Sequence, residues 1–576
     1  MKKVISVVLV FVLLLGMSVS AQKDETSFKD VPKGDYFEQY IYKLKELGIT
    51  QGDDKGNFGF NKNISRAEFL TFLMRLQQLE LDNSPNPEMF QDIKPTDWYY
   101  AYINLGLQNK TILKSDYVNN SFQPNKPMTR DEMAVMIVRA LQYDTLAASV
   151  KNLPSQFSDV NTNIGYIELA KDLGIINGRS KDLFDPKAPA TKQEAAAMLI
   201  RMYNINNNQL SVVNGFYAIK SFDQADMIPD FNSIGFGWSR LDYNQTSGHI
   251  ELSTQKTTGG QPFYIPEDYQ NMTAKADQSN VVKYLMVFGS NEDKVKVNGL
   301  DEKLVSLLLK DPAAVQKLTA DIVAATEQFG AQAVSFEGVI VDFEGLRDNG
   351  MDKQSFVSFL TELSNQLKVK GKLLAVCINP PRETGQQYYD GYDLASIGAL
   401  ADYVILMAHD YEAKLVSSQA AASFKGETPM APLKDVYYAM KLAMNGGKGV
   451  PKEKLLLQLN FAAAQWQFKD GILQNNSPYS PEYSKLLSRM KDPNTTSKTF
   501  NYSELYQMPY LTYEADGIKN IIWYEDERSI SAKVRLARLL GIEGISCWRL
   551  GLIPAFGEAE NAPYKLNIWD IIKSVN

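Results

Sequence analysis

Two acids stand one residue apart in the otherwise apolar run FEGVIVDFEGL, residues 336–346: Asp342 and Glu344, just before a glycine. If the run is a β-strand, alternation places both carboxyl groups on one face. Two close acids repel each other when both are ionised, so one of them retains its proton near neutral pH. Glycosidic cleavage needs such a pair, because one group protonates the leaving oxygen and the other stabilises the developing cation. The alternative is a solvated acidic strand end.

The run that carries the two acids is one of several β-like apolar runs after about residue 203. In chain order they are NGFYAIKSF, SIGFGWSRL, KYLMVFG, GVIVDFE, LLAVCIN, YVILMAHD, KLLLQLNF and GISCWRL. Amphipathic helical stretches separate most of these eight runs, which predicts an α/β fold, a (β/α)8 TIM barrel, over residues 211–576. Asp342 and Glu344 then end the fourth strand and face the barrel axis, at the rim where barrel enzymes do their chemistry. The long connection between the seventh and eighth strands predicts a small α+β insertion at about residues 468–525.

A threefold repeat precedes the barrel. The strings FKDV, FQDI and FSDV each open a unit with an amphipathic helix, an aromatic turn and a second helix. The second helices begin at SRAE, TRDE and TKQE, which are capping boxes: the Ser or Thr caps the helix and the Glu reaches back. These α-helical units occupy residues 28–76, 90–142 and 157–203, and the polar string INNNQLS follows them as a linker.

All three units resemble the S-layer homology domain. The resemblance implies a pseudo-trimer of repeats that binds the secondary polysaccharide of a Gram-positive-type cell wall. Arg66 and Arg130 match the family's arginine, which contacts acidic sugar, whereas the third copy has Lys192. Lysine keeps the charge but loses the planar fork of the guanidinium group. Trp98 matches the usual aromatic residue of the first helix. The alternative is a generic helical repeat.

The second half of the chain resembles glycoside hydrolase family 18 in three motifs. FEGVIVDFEGL is similar to the DGxxxDxE signature, YVILMAHD to the sixth-strand MxYD string, and GISCWRLG to the eighth-strand tryptophan motif. The segment IWYEDERSISAKVRLARLLGIEGI resembles the peptidoglycan-acting branch, and the resemblance spans about residues 212–572. It implies retaining, substrate-assisted hydrolysis, in which the substrate's own 2-acetamido group attacks the anomeric carbon.

Carried over residue by residue, the resemblance makes Glu344 the general acid and base. Asp342 orients the acetamido N–H and stabilises the cyclic cation, and Asp410 assists from the sixth strand. Trp548 forms the floor under the sugar at the cleavage site.

Two positions depart from the family pattern, and two further tryptophans have open roles. Ile340 replaces an additional inner Asp, and His409 replaces the Tyr that bonds the acetamido oxygen. Either His409 donates that bond in a pH-dependent way, or Tyr411 substitutes for it, or His409 is a core histidine. Trp466 falls where the family carries a cleft aromatic. Trp238 is either a substrate-binding residue of the cleft or a core aromatic.

The N-terminal string, the net charge and the few cysteines and histidines exclude several classes of protein. The N-terminal string MKKVISVVLVFVLLLGMSVSA predicts a secretory signal at residues 1–21, with a retained anchor as the alternative, and no later run could cross a bilayer. The net charge of -7, with both signs interspersed, argues against nucleic-acid binding. Cys377 and Cys547 are predicted to be core residues, a single bridge being the alternative. With two histidines and no cysteine cluster, we expect no metal and no cofactor.

We therefore expect a secreted glycosidase bound to the cell wall of a Gram-positive-type bacterium. It would cleave β-1,4 bonds next to N-acetylglucosamine, in peptidoglycan rather than chitin, because the repeats hold the barrel against the wall. One alternative is a non-catalytic, lectin-like glycan-binding protein, although such members typically lose the acid that Glu344 provides. The other is a structural S-layer protein.

Overall fold

The computed structural model describes residues 27–257, 262–331, 333–383, 389–493, 495–557 and 564–575. The predicted signal at residues 1–21 lies outside these ranges. The chain divides into two compact units. The first unit holds the described residues up to 107 together with 114–129 and 188–200, and the second holds 108–113, 130–187 and the described residues from 201 onward.

The repeat region is helical, as predicted. Its helices are α1 (Glu38–Glu46), α2 (Arg66–Gln77), α3 (Tyr100–Gln108), α4 (Arg130–Ala140), α5 (Asp144–Ser149), α6 (Ile164–Asp172) and α7 (Lys192–Asn206). Helix α2 has a complete capping box, because the Ser65 side chain accepts from Glu68 N and the Glu68 side chain accepts from Ser65 N. Two orphan N–H groups at the helix start are thereby satisfied.

A cyclic set of backbone hydrogen bonds joins the three repeats within the first unit. Ile64 N donates to Ala190 O at 3.0 Å, Met128 N to Ile64 O at 2.9 Å, and Ala190 N to Met128 O at 2.9 Å. Each of these residues directly precedes the capping position of its repeat's second helix. The ring confirms the expected pseudo-trimeric arrangement.

The strands are found at all eight predicted runs, with additional strands between them. The strands are β1 (Val212–Tyr217), β2 (Ser233–Asn244), β3 (His249–Ser253), β4 (Val282–Ser290), β5 (Lys294–Val297), β6 (Leu300–Lys303), β7 (Gly338–Glu344), β8 (Leu373–Ile378), β9 (Tyr403–Leu406), β10 (Leu455–Asn460), β11 (Ala464–Lys469), β12 (Ile472–Leu473), β13 (Thr496–Ser503), β14 (Met508–Ala515), β15 (Ile518–Trp523) and β16 (Gly544–Trp548). Strands β1, β2, β4, β7, β8, β9, β10 and β16 pair in that order, all parallel, and β16 pairs back to β1. The TIM barrel is therefore closed.

Ten helices follow the repeats in the described part of the chain, and most of them lie between barrel strands in sequence. They are α8 (Tyr269–Gln278), α9 (Leu304–Leu309), α10 (Pro312–Glu327), α11 (Asp352–Val369), α12 (Leu394–Leu400), α13 (Ser418–Ala421), α14 (Leu433–Met444), α15 (Tyr483–Lys491), α16 (Glu527–Leu540) and α17 (Ile568–Lys573). Between β10 and α16, at the place of the expected insertion, β11 to β15 form a five-stranded antiparallel sheet accompanied by α15. Among the residues described, none of the helices combines the length and apolar character that a bilayer span requires.

The barrel interior is filled by side chains from alternate positions of its strands. Phe216, Met286, Ile340 and Ile405 belong to one buried cluster with Cys377. Cys377 and the second cysteine, Cys547, are both buried and unbridged, which confirms them as core residues.

Within the second unit, the third repeat is bonded to the outer layer of the barrel. Lys441 on α14 places its Nζ 3.2 Å from Glu168 and 2.7 Å from Asp172, both on α6. The hydroxyl of Tyr437 donates to Asp172 at 2.5 Å. The Glu168 side chain has no exposed surface, so this ion pair is withdrawn from solvent on the acid's side.

Candidate active site

The two acids lie where β7 ends at the rim of the barrel. Asp342 is 3% exposed and Glu344 is partly buried. Phe343 points the opposite way and packs on Phe356 and Phe359 of α11. Strand alternation therefore turns both carboxyl groups toward the barrel axis, as predicted.

A cavity of about 960 Å³ opens at this rim. Its lining includes Glu344, His409, Asp410 and Tyr411, so the structure brings four of the predicted catalytic residues to one wall. Further charged groups of the lining come from loops and from Asp435 of α14; those from loops include Glu292, Arg382, Lys414 and Glu427. The volume is in the range of ligand-binding clefts.

The pKa values of both acids, Asp342 and Glu344, are raised. Burial raises the pKa of Asp342 to about 7, although a hydrogen bond with Cys377 and the charge of His409 act in the other direction. Among the described residues, Oδ1 of Asp342 has no hydrogen-bond partner. Burial, followed by the charges of Asp342 and Asp410, raises the pKa of Glu344 well above its ordinary value. Both carboxyl groups therefore hold a proton more tightly than a solvent-exposed acid does.

The side chains of His409 and Asp410 are hydrogen-bonded to each other just beyond β9. Nδ1 of His409 lies 2.9 Å from Oδ2 of Asp410, and Nε2 lies 2.7 Å from Oε1 of Gln458. Burial opposes the charged ring, but Asp410 and the hydrogen bonds to Asp410 and Gln458 hold the pKa of His409 above its usual value. Burial also opposes the charged carboxylate, yet His409 and then Lys414 hold the pKa of Asp410 well below its usual range.

Asp410 and Tyr411 are fixed by the cation of Arg382. Asp410 has a φ of +60°, in the left-handed region that non-glycine residues seldom adopt. The guanidinium group of Arg382 donates to its carbonyl oxygen at 3.0 Å and lies 4.8 Å from the centroid of the Tyr411 ring. The Tyr411 hydroxyl donates to the carbonyl oxygen of Asp435 at 3.3 Å. The assignment of Tyr411 to the acetamido oxygen stays a prediction.

Ile340 fills space at the position of the missing inner acid. It is fully buried in the barrel cluster. A Cβ atom on Gly235 would lie 2.7 Å from its Cδ1, so the isoleucine and the glycine fit each other. Close packing in a barrel interior leaves no solvated place for a carboxylate there.

The three predicted sugar-binding tryptophans lie in different surroundings. Trp548 ends β16, is partly buried and lies 5.2 Å from Phe216 between ring centroids. Trp466, in the insertion, is fully buried and packs on Phe424 at 4.6 Å. Trp238 is 2% exposed and packs within 4.5 Å of Phe236. The structure thus places Trp466 and Trp238 among core aromatics, and sugar binding by the three stays a prediction.

In the repeats, the two predicted arginines are largely buried against neighbouring turns. Arg66 donates to the carbonyl oxygen of Phe122 at 2.9 Å and lies over the Tyr117 ring at 5.2 Å. Arg130 donates to the carbonyl oxygen of Phe184 at 2.9 Å and lies 4.6 Å from that ring's centroid. Each guanidinium group thus reaches the aromatic turn of the following repeat.

The third repeat's cation has a different partner. Nζ of Lys192 lies 2.6 Å from Oε1 of Glu68, the capping-box acid of the first repeat. Trp98 is 61% exposed. Wall-polymer binding by these residues stays a prediction.

Sequence reasoning missed the polar side chains that surround His409. Gln458 and Asn460 occupy alternate positions of the apolar run KLLLQLNF, and this interruption was the available signal. In the described part of the chain, no group of three or more His, Cys, Asp or Glu is placed to hold a metal ion.

Two family models match the chain. The model for glycosyl hydrolases family 18 matches residues 193–552. The model for the S-layer homology domain matches residues 27–70, 90–134 and 156–196. Together they cover the barrel and the three repeats.

Relatives resemble the two halves separately. "Cortical fragment-lytic enzyme" of Bacillus anthracis is 24% identical over 297 residues, which are 50% of this chain and 61% of the relative. "Surface-layer 125 kDa protein" of Lysinibacillus sphaericus is 32% identical over 173 residues, 29% of this chain and 14% of the relative. The chain thus spans less than two thirds of the length of these two curated relatives. The solved structure of the Bacillus cereus spore cortex-lytic enzyme SleL has a TM-score of 0.48 and 18% identity, covering 75% of this chain and 83% of that chain.

Proposed function

The chain belongs to glycosyl hydrolases family 18, and from this premise we propose that it hydrolyses β-1,4 bonds next to N-acetylglucosamine. One observation carries the proposal. A carboxyl group with a strongly raised pKa, Glu344, lines a cavity of about 960 Å³ two residues from a second buried acid, Asp342. A proton donor beside a group that can carry negative charge is the arrangement that glycosidic cleavage requires.

The reaction follows from this arrangement in two steps. In the first, Glu344 gives its proton to the glycosidic oxygen while the acetamido oxygen of the substrate attacks the anomeric carbon and the C–O bond breaks. The resulting cyclic cation has an N–H that donates to the carboxylate of Asp342. In the second, the Glu344 carboxylate takes a proton from water, which attacks the anomeric carbon and opens the ring. Two inversions at that carbon give overall retention.

The charges of the cleft also set a pH dependence for this reaction. The first step needs Glu344 protonated and Asp342 ionised. Because the pKa of Asp342 is raised to about 7, we expect kcat/KM to rise through neutral pH and to fall again when Glu344 loses its proton.

We propose peptidoglycan as the substrate, with chitin as the runner-up. The chain contains three S-layer homology domains, a type that binds cell-wall polymers. A relative of the barrel is named a cortical fragment-lytic enzyme. We propose that the repeats bind secondary cell-wall polysaccharide, through Arg66, Arg130, Lys192 and Trp98, and so hold the barrel near peptidoglycan. The same arrangement implies secretion, directed by residues 1–21, to the surface of a Gram-positive-type bacterium.

The test compares the full chain with Glu344→Gln on three substrates: a fluorogenic N-acetylglucosaminide, purified peptidoglycan and chitin oligomers. Mass spectrometry of the products identifies the bond cleaved. We expect the wild type to release products with N-acetylglucosamine at the new reducing end and the variant to release almost none. Equal turnover by the two proteins would overturn the proposal.

The two competing functions give different results in the same preparations. If the protein is lectin-like, the wild type and Glu344→Gln would bind the oligomers with equal affinity, and neither would cleave them. A structural S-layer protein would assemble into sheets, and that assembly would not depend on Glu344.

A further inference from the structure

Strand β10 carries two amides into the barrel interior at positions that would usually be apolar. Its six residues read LLLQLN and all are buried. Gln458 is 3% exposed and Asn460 is 8% exposed. Their two-residue spacing places them on one face of the strand, which they share with Leu456 of the interior cluster. Buried amides are costly unless they are hydrogen-bonded, so their partners indicate their purpose.

Gln458 places an acceptor against the His409 ring. Its Oε1 lies 2.7 Å from Nε2 of the imidazole, while Nδ1 of the same ring lies 2.9 Å from Oδ2 of Asp410. An amide oxygen and a carboxylate oxygen both accept hydrogen bonds. Facing these two acceptors at hydrogen-bond distance, the ring is best satisfied with a hydrogen on each nitrogen, which is the imidazolium form.

Asn460 supports the other half of the pair. Its Oδ1 accepts from Ala462 N at 2.9 Å, which places its amide nitrogen 3.4 Å from both Oδ1 of Asp410 and Nδ1 of His409. Nδ1 has its shorter contact, 2.9 Å, with Oδ2 of Asp410, so the amide nitrogen is assigned as a donor to the carboxylate. Nζ of Lys414 lies 3.0 Å from Oδ1 of the same carboxylate. The carboxylate of Asp410 is thus surrounded by donors and is kept ionised opposite the charged ring.

The charge of the His409 ring also affects the pKa of Asp342. The charged and titratable groups around the pair are Asp342 and Glu344 of β7, Tyr411, Lys414, and Arg382 through the Asp410 carbonyl group. The charge of His409 acts against the burial that raises the pKa of Asp342. With both nitrogens occupied by protein acceptors, the ring has no N–H left for the substrate.

We propose that Gln458 and Asn460 are positioning residues of the reaction, which hold His409 as an imidazolium so that its fixed charge favours the ionised form of Asp342. This inference rests on the proposed glycosidase function and deepens it. His409 then acts as a charge behind the helper acid rather than as a hydrogen-bond donor to the acetamido oxygen. Asp342 becomes able to accept the acetamido N–H at a lower pH than burial alone would permit.

The protonation state can be measured without turnover. The chain has two histidines, His409 and the exposed His249, so ¹³C- and ¹⁵N-labelled histidine gives two sets of signals, and His249→Gln assigns them. We expect both nitrogens of His409 to be protonated at pH 7. Gln458→Leu should move its loss of charge to lower pH by at least one unit, and Gln458→Glu, which keeps an oxygen acceptor, should move it to higher pH. A neutral tautomer in the wild type, or shifts of both variants in one direction, would overturn the proposal.

The pH profile of kcat/KM then tests the effect on the reaction. We expect Gln458→Leu to shift the rising limb to higher pH by about half a unit or more, since Asp342 loses a neighbouring cation. Gln465→Leu is the matched control, because Gln465 is equally buried at 3% exposure but bonds Arg489 and Asn520 in the insertion. Its rising limb should match the wild type.

The two proposals fail differently. If His409 loses its charge in Gln458→Leu while the rising limb stays in place, the positioning role is wrong and the glycosidase assignment is unaffected. If the wild type cleaves none of the substrates, the glycosidase assignment fails, whereas the histidine spectra still report the charge of the ring.

Discussion

The second unit has buried carboxyl groups in two regions, and the groups differ in their partners. On the outside of the barrel, Glu168 faces Lys441 and also accepts from Ser155 Oγ and Gln156 N. At the rim, Asp342 has an oxygen without a partner among the described residues, and its nearest charged neighbour in the strand is another acid.

The difference distinguishes an acid that stabilises the fold from an acid that is proposed to take part in the reaction. A buried charge is costly unless a counter-charge and hydrogen bonds compensate it, and Glu168 has both. Glu525 has similar partners, since it is 1% exposed and lies 3.0 Å from Nζ of Lys533, although burial still leaves its pKa raised. For Asp342 and Glu344 the compensation is incomplete, so these two groups bind protons more tightly than free carboxyl groups do. That tighter binding suits the proton-donor role that we propose for Glu344.

The largest effect should come from exchanging one acid in each region for its amide. We expect Glu344→Gln to lower kcat/KM about 10³-fold, because a general acid contributes roughly 10²–10⁴-fold, while its melting temperature stays at or above that of the wild type. Glu525→Gln should do the reverse, lowering the melting temperature while each folded molecule keeps its turnover. Thermal unfolding and kinetics on the same preparations give both readings, and a loss of folding in Glu344→Gln would contradict the distinction.

The next effect concerns the counter-charge outside the barrel. Lys441→Met should lower the free energy of unfolding by about 3 kcal/mol, since it leaves Glu168 buried and without its cation. Denaturant unfolding measures the change. Lys317→Met is the control, because Lys317 and Asp321 form an exposed pair on α10, for which we expect a change of about 0.5 kcal/mol or less. Similar losses in both variants would show that burial is not what distinguishes them.

A third effect has the opposite sign and depends on pH. The pKa of Asp342 is raised to about 7 in the folded chain from 3.8, so the folded state retains a proton that the unfolded state has released. The contribution of Asp342 to the stability of the wild type therefore falls as the pH rises from about 4 to 7. Asp342→Asn lacks this loss, and its stability relative to the wild type should grow by about 2 kcal/mol between pH 5 and pH 7. Unfolding curves at several pH values test this, and a constant difference would contradict it.

The smallest effect is expected in the repeats, at a partly exposed pair of the first unit. Burial raises the pKa of Glu68, but the bonds from Lys192 and Ser65 outweigh it and leave the pKa lowered. Lys192→Met should cost about 0.5–1 kcal/mol at pH 7. The cost should shrink as the pH falls through the folded pKa of Glu68, because the acid is then neutral in both proteins. Thermal unfolding at pH 7 and at acid pH measures the two values, and an equal cost at both would rule out the ion pair as its cause.

The sequence located the elements of the fold but not their cross-chain contacts. The eight barrel strands were found because each is a short apolar run, and the second repeat helices because their capping boxes are local patterns. Strands β3, β5 and β6 were missed, because they are short and mix polar with apolar residues instead of forming an apolar run.

The candidate site shows the same division. Asp342 and Glu344 could be placed by alternation along one strand. The contact between His409 and Gln458 joins positions 49 residues apart, and no periodicity predicts it. Trp238 and Trp466 could not be separated into cleft and core aromatics, because both settings favour the same residue type. Burial in the folded chain supplies that distinction.

The ring of backbone hydrogen bonds through Ile64, Met128 and Ala190 has a consequence for how this repeat region could evolve. An open stack of repeats has ends, so it can gain or lose a unit and needs caps. A closed ring has no end to extend. Inserting a fourth unit would require one of the three junctions to open, and deleting one would leave two junctions unmade. The number three is thus a property of the geometry, and the repeats can change in sequence, as Lys192 has, but not in number.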